Sequence, residues 1–159
     1  MITNLPQWRK LGNMNLDTAK QLGRAIAITT SAFKDKVDKS GKPYILHCLR
    51  VMQAVDQNDD ELMQIAMMHD LLEDTPWNPE ALLAEGFSNR VIAAVIILTH
   101  KEGMSYDDYI KRISTSEDAR AVKLADLKDN SDITRLKGLR KKDFDRMEKY
   151  HKAYVYLSN

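Results

Sequence analysis

The chain has 159 residues, of which 43% are hydrophobic and 30% are charged, and its formal net charge is +1. That length fits one ordinary domain with its own core, so we treat residues 1–159 as a single domain. A net charge near zero gives no field that would attract DNA, RNA or a membrane surface. The single cysteine, Cys48, excludes an intramolecular disulfide and fits a reducing compartment. Because the N-terminus also lacks the layout of a secretory signal, we expect a cytoplasmic protein.

The hydrophobic pattern predicts helices throughout, because apolar residues recur at helical spacing and no alternating strand pattern of useful length occurs. Gly41 and Pro43 indicate a loop before the second helix, and Pro76 ends the third. The elements predict an all-α fold, a single-domain orthogonal helical bundle. In chain order, the predicted helices cover approximately residues 16–33, 43–55, 58–74, 78–85, 88–98, 106–113, 117–127 and 143–157.

The third predicted helix carries two adjacent groups that can bind a metal, His69 and Asp70. Neighbouring residues on a helix point about 100° apart, so both side chains can approach an ion that lies between them. Glu73 and Asp74 follow four residues later, which places two more carboxylates one turn along the same face. Apolar residues on this helix indicate burial, and buried carboxylates and imidazoles need a compensating charge. A metal ion would supply that charge.

Two further candidate ligands lie outside this helix, His47 and Asp126. Asp126 interrupts an otherwise apolar stretch, where a carboxylate is costly unless it is paired. Each of these residues alone has an ordinary structural explanation, such as a hydrogen-bonded core histidine, and only their combination favours a metal site. Two imidazoles and two carboxylates suit a divalent ion such as Mn²⁺ or Fe²⁺, with positions left for water and a substrate oxygen. The lack of thiolates argues against a closed structural zinc site.

These motifs resemble the HD superfamily of metal-dependent phosphohydrolases, which has an early histidine, a His-Asp pair and a later aspartate. More narrowly, segments 69–75 and 123–126 with Asn130, and the segment 38–47, resemble the hydrolase domain of RelA/SpoT enzymes and the small alarmone hydrolases. The resemblance covers roughly residues 17–157. It implies an HD-type fold, a Mn²⁺ ion (or Fe²⁺, Co²⁺ or Zn²⁺) and two acidic residues that serve hydrolysis. The implied metal ligands are His47, His69, Asp70 and Asp126, and the implied catalytic residues are Glu73 and Asp74.

The same resemblance implies that Asn130 and Tyr150 contact the ribose or phosphates of a nucleotide, with Arg146 nearby. Arg146 and Tyr150 are four residues apart, and they therefore share one face of the last helix. Lys123, three residues before Asp126, would add a cation close to a pyrophosphate group. Lys36 stands where family members often have an arginine that packs on the base. The metal-binding motifs therefore match the family more closely than the base-recognition side does.

The leading interpretation is removal of the 3′-pyrophosphate from (p)ppGpp-like alarmones, with a small nucleotide as the partner and with no nucleic acid or membrane. A second enzymatic interpretation is another HD nucleotide phosphohydrolase, such as a 5′-nucleotidase or a nucleoside triphosphate hydrolase. A third is a non-catalytic HD scaffold that binds nucleotides. Such scaffolds typically lose a metal ligand or an acidic helper, whereas this chain has all six residues. The sequence leaves the oligomeric state open.

Overall fold

A computed structural model describes the backbone of residues 7–159 and the side chains from Asp17 onward. Within this range the secondary structure is helical, apart from an isolated antiparallel bridge between Val37 and Pro43. The predicted all-α fold is therefore confirmed. The elements are α1 (Gln7–Ala32), α2 (Ile45–Gln53), α3 (Asp60–Met68), α4 (Leu71–Asp74), α5 (Pro79–Ala84), α6 (Asn89–Leu98), α7 (Tyr106–Ser114), α8 (Glu117–Asn130), a short 3-10 helix (Ile133–Arg135) and α9 (Lys141–Ser158).

The prediction of one continuous helix over residues 58–74 was wrong, because the chain breaks between α3 and α4. Asp70 has φ −103° and ψ 0°, which is the bridge region rather than regular helix. The Asp74 amide then donates to the Asp70 carbonyl at 3.1 Å, and α4 begins. Leu71, the first residue of α4, is apolar and fully buried, so the hydrophobic pattern of the sequence continues through this break. Periodicity alone therefore did not indicate it.

Helix starts are set by short polar side chains that accept a hydrogen bond from a backbone amide three residues later. This capping fixes the beginning of α8 at Glu117, as predicted, although α8 continues to Asn130, about three residues beyond the prediction. α1 begins at Gln7 rather than near Leu16. The capping residues are Asp59 for α3, Asn78 for α5, Ser88 for α6, Ser105 for α7 and Ser116 for α8.

The core is built around α3, which packs against α1, α2, α6 and α8. Its residues Ile65, Ala66, Met67 and Met68 are completely buried. α8 in turn contacts α2, α6, α7 and α9. This arrangement brings α2, the α3–α4 break and α8 together at one end of the core. Among residues 7–159, none of the helices combines the length and hydropathy needed to cross a membrane.

Candidate functional site

The four predicted metal ligands meet where α2, the α3–α4 break and α8 come together. His47 Nε2 lies 3.2 Å from both His69 Nε2 and Asp126 Oδ1. His69 Nε2 lies 3.0 Å from Asp70 Oδ2 and 3.6 Å from Asp126 Oδ1. His47, His69 and Asp126 are buried, and Asp70 is partly buried. We call these four residues the His/Asp cluster.

The spacing within the His/Asp cluster fits a divalent ion. Bonds of about 2.1 Å place adjacent ligands of an octahedral ion ~3.0 Å apart and opposite ligands ~4.2 Å apart. The cluster distances of 3.0 Å to 3.9 Å lie within that range. Three of its residues, His47, His69 and Asp126, offer ligand atoms that all lie within 4.8 Å of one another. The buried His/Asp group is therefore able to hold a metal ion.

The hydrogen bonds of the two histidines fix which ring nitrogen faces the centre. His69 Nδ1 lies 2.7 Å from the Ala66 carbonyl oxygen, which can only accept, so Nδ1 carries the proton. His47 Nδ1 lies 2.7 Å from the carboxylate of Asp129 and donates to it. In the neutral rings both Nε2 lone pairs then point at the carboxylates of the cluster. Four electron-rich atoms that converge in a buried place require a cation.

The electrostatics of the cluster agree with this reading. Burial disfavours a charged imidazole, but the carboxylates of Asp70 and Asp126 outweigh it and raise the pKa of His69 well above its usual value. Burial also opposes ionisation of Asp126, yet the Lys123 ammonium and the two histidines hold the pKa of Asp126 well below its usual range. Positive charge at this place, from Lys123 and from protons on the histidines or a bound cation, therefore stabilises these carboxylates.

Asp129 is a functional candidate that sequence reasoning missed. It accepts from His47 and is itself held by Arg50 Nε at 2.7 Å and by Arg135 Nη2 at 3.1 Å. Burial raises the pKa of Asp129, but the hydrogen bonds from His47 and Arg50 outweigh it and keep the pKa far below its usual range. Its position three residues after Asp126 placed both on one face of α8, which was the available signal.

Two predicted substrate-binding residues, Lys123 and Asn130, contact the cluster directly. Lys123 Nζ lies 2.7 Å from Asp126 Oδ2, and Asn130 Nδ2 donates to Asp126 Oδ1 at 2.6 Å. The extension of α8 to Asn130 places its amide one turn after Asp126. These contacts orient the Asp126 carboxylate, and a role in substrate binding stays a prediction.

Asp70 and Asp74 have partners on the segment before α2. The Tyr44 hydroxyl donates to Asp70 Oδ2, a contact that sequence reasoning did not identify. Lys36 Nζ pairs with Asp74 and lies 3.8 Å from the centre of the Tyr44 ring. Lys36 therefore lines the cavity that the cluster shares and pairs with a carboxylate there, and its predicted contact with the base stays a prediction.

Glu73 faces the cavity beside the cluster. The His100 backbone amide donates to Glu73 Oε1 at 2.9 Å. Partial burial and the neighbouring charge of Asp70 raise the pKa of Glu73, although the His100 amide counteracts them. His100 is exposed, and its contact with Glu73 could not be predicted because the donor is a backbone amide, which every residue except proline has.

The predicted site residues other than His69 line one cavity of about 400 Å³, a volume typical of small-molecule sites. Charged side chains of both signs line it: Lys36, Lys39, Arg135 and Arg146 are basic, and acidic residues such as Asp132 lie in the same lining, together with Tyr150. Burial, and secondly the nearby Arg146, lower the pKa of Lys39. Arg135 lies in the short 3-10 helix and contacts Asp129.

Comparison with known proteins agrees with this architecture. No protein-family model matches the sequence. The chain is similar to guanosine-3′,5′-bis(diphosphate) 3′-pyrophosphohydrolase of Aquifex aeolicus (strain VF5), with 33% identity over 122 residues. That match covers 70% of this chain and spans only 17% of the relative's length.

A solved structure of a metazoan ortholog of SpoT, described as hydrolysing ppGpp and acting in starvation responses, matches with a TM-score of 0.71. The match covers 86% of this chain and 84% of that one, at 20% sequence identity, and it establishes the fold. The chain therefore shares the fold of that SpoT ortholog, and over 122 residues it is similar in sequence to a region of the Aquifex aeolicus pyrophosphohydrolase.

Proposed function

We propose that the chain is a metal-dependent phosphohydrolase that removes the 3′-pyrophosphate from (p)ppGpp-like alarmones. The observation that carries the proposal is the convergence of two imidazole lone pairs and two carboxylates at a cavity that several lysines and arginines also line. The name of the similar Aquifex aeolicus protein supports the same reaction. A cytoplasmic location remains a prediction.

We infer that His47, His69, Asp70 and Asp126 hold the metal, and that it is Mn²⁺. Mixed nitrogen and oxygen ligands also accommodate Fe²⁺, Co²⁺ or Zn²⁺. A divalent ion in the His/Asp cluster would supply Lewis-acid chemistry, since it polarises a phosphoryl oxygen and makes a water molecule more acidic.

Glu73 and Asp74 would handle the attacking water. Glu73 lines the cavity with a raised pKa, which makes it a better proton acceptor than an ordinary glutamate. The water oxygen forms a bond to the phosphorus attached to the 3′ oxygen, and the 3′ oxygen–phosphorus bond breaks. Glu73 takes a proton from the water and gives it up to the departing 3′ oxygen, which ends as a hydroxyl. Asp74, fixed by Lys36, would orient the water or the leaving group.

The remaining residues would hold the nucleotide. Lys36, Lys39, Arg135 and Arg146 line the cavity and would offer cations to the phosphate groups. Asn130, Lys123 and Tyr150 line the same cavity and would contact the ribose and the 3′-phosphates.

The test is product identification. The protein is incubated with Mn²⁺ and ppGpp, and also with 5′-monophosphates and 5′-triphosphates, and products are resolved by ³¹P NMR. We expect pyrophosphate and GDP from ppGpp, and no release from the other nucleotides. Asp126→Asn should abolish the reaction. Asp118→Asn, in the first turn of the same helix and paired with Arg90, should preserve it. Release of orthophosphate alone would favour another HD phosphohydrolase activity.

A further inference from the structure

The peptide group between Thr99 and His100 is hydrogen-bonded at both ends. Its N–H donates to Glu73 Oε1 at 2.9 Å, and its carbonyl accepts from Nη2 of Arg112. Arg112 lies on α7 and does not line the cavity. A guanidinium outside the cavity is therefore connected to Glu73 through one peptide unit.

The connection is part of a larger cap on the end of α6. Arg112 Nη2 also donates to the Ile97 carbonyl at 3.0 Å, and the Tyr109 hydroxyl donates to the Leu98 carbonyl at 2.5 Å. Three consecutive carbonyls at the C-terminus of α6 thus receive side-chain donors from α7. A cation is favourable there because these carbonyls lack intrahelical partners and carry the negative end of the helix dipole.

The side chain of His100 also has contacts that fix the loop after α6. The His100 ring packs 4.8 Å from the Tyr109 ring, and its Nε2 lies 2.9 Å from the Met104 carbonyl oxygen. The Arg112 guanidinium lies 5.7 Å from the centre of the Tyr109 ring. The Tyr109 ring thus contacts both the His100 ring and the Arg112 guanidinium, and a phenylalanine ring would keep both contacts.

Hydrogen bonds in a chain polarise one another, so donation to the Thr99 carbonyl makes the His100 N–H a stronger donor. The His100 bond engages only Oε1 of Glu73, which leaves the second carboxylate oxygen for a water molecule. The orientation of the Glu73 carboxylate would then depend on Arg112. The strength of the hydrogen bond that stabilises the negative charge of this carboxylate would depend on Arg112 as well.

We propose that Arg112 is a positioning residue for the hydrolysis, acting on Glu73 through the Thr99–His100 peptide. This rests on the proposed function, in which Glu73 accepts the proton of the attacking water. Tyr109 supports the same helix end, but its carbonyl partner belongs to a different peptide unit. Tyr109→Phe is therefore a matched control that removes one cap bond and leaves the link to Glu73.

The experiment compares Arg112→Met, Arg112→Lys and Tyr109→Phe in the full chain with Mn²⁺. Arg112→Met should lower kcat on the order of 10²-fold, the cost of misplacing a catalytic group, with KM and Mn²⁺ affinity near the parent values. Arg112→Lys keeps the cation and should recover most of the rate, and Tyr109→Phe should retain the parent kcat. Arg112→Gln replaces Arg112→Met if the latter does not fold. Equal losses in the Arg112→Met and Tyr109→Phe variants would overturn the proposal.

A double-mutant cycle separates positioning from general damage. Glu73→Gln alone should lower kcat on the order of 10²–10⁴-fold. In that background Arg112→Met should cost little more, because residues that act as a unit are not additive. A full additional loss would overturn the link between Arg112 and Glu73.

A spectroscopic readout keeps this test independent of the substrate. The His100 amide proton resonance should move upfield in both Glu73→Gln and Arg112→Met and stay in place in Tyr109→Phe. An unchanged resonance in Arg112→Met would overturn the link even in an active enzyme. Failure of the parent protein to hydrolyse ppGpp would instead refute the proposed function, and the amide resonance would still decide whether Arg112 acts on Glu73.

Discussion

Each histidine of the His/Asp cluster has one ring nitrogen fixed by the protein and the other free to face a metal. For His69 the fixing group is the Ala66 carbonyl, one turn earlier on the chain, and for His47 it is the Asp129 carboxylate from α8. A carboxylate partner orients the ring and makes its other nitrogen more basic. We therefore expect Asp129 to tune the metal affinity without being a ligand.

Asp129→Asn should weaken Mn²⁺ binding about 10- to 100-fold, the usual effect of removing such a partner. The amide still reaches His47 but lacks the charge, and it also loses the ion pairs with Arg50 and Arg135. Isothermal titration calorimetry measures the affinity. Asp132→Asn is the control, because its carboxylate lies near Arg135 and contacts no histidine of the cluster. Parent-like affinity in Asp129→Asn would contradict the assigned role.

The sequence predicted those residues of the site whose type is unusual in an apolar helix. It did not predict the residues that matter only because the fold brings them into contact with the cluster or with Glu73. His47, His69, Asp70 and Asp126 were identifiable because imidazoles and carboxylates are unusual inside apolar helices. The sequence did not identify Tyr44, Asp129 or the His100 amide as parts of the site. Tyrosines, polar residues near helix ends and backbone amides occur in every protein, so none of them indicates a site by itself. Their partners lie 26 to 82 residues away in the chain.

Helix ends, rather than helix middles, place two members of the cluster. His69 and Asp70 lie between α3 and α4, where the bridge-region backbone of Asp70 turns its carboxylate beside His69 Nε2. Most helix boundaries were predicted to within about two residues because caps and prolines mark them. The break was not predicted, since no glycine or proline accompanies it and the apolar residues continue across it.

The stability of α8 and the binding of metal should be separable. Ser116→Ala removes the cap that accepts from the Ala119 amide and should cost about 0.5–2 kcal/mol of unfolding free energy. Urea unfolding measures the loss. Ser114→Ala is the control, since that hydroxyl only donates to the Lys111 carbonyl within α7, and it should change stability by less than about 0.5 kcal/mol. Mn²⁺ affinity should stay at the parent value in both, and a large loss in Ser116→Ala would show that the α8 start shapes the cluster.

For the molecule as a whole, the protonation of the two cluster histidines should affect both the folding stability and the metal affinity. Burial opposes charge on His47, but hydrogen bonds with Asp126 and Asp129 outweigh it and raise the pKa of His47, as the carboxylates do for His69. A raised pKa in the folded state adds stability below the unfolded value of about 6.5, and that stability is lost as pH rises through the folded pKa. A metal ion requires the neutral rings, so its affinity increases over the same pH range.

We therefore expect Mn²⁺ to raise the thermal midpoint more at about pH 8.5 than at about pH 6. Differential scanning calorimetry with EDTA or with excess Mn²⁺ measures the two midpoints at each pH. In Asp126→Ala the difference between them should collapse, because a ligand and its charge are gone. A stabilisation by Mn²⁺ that is the same at both pH values would contradict histidine ligation.

Anomalous scattering from a crystal grown with Mn²⁺ would show whether His47, His69, Asp70 and Asp126 hold a divalent metal. We expect one strong anomalous peak per chain, about 2.0–2.3 Å from Nε2 of both histidines and from carboxylate oxygens of both aspartates. A cluster without a peak, or a peak bound by other residues, would contradict it.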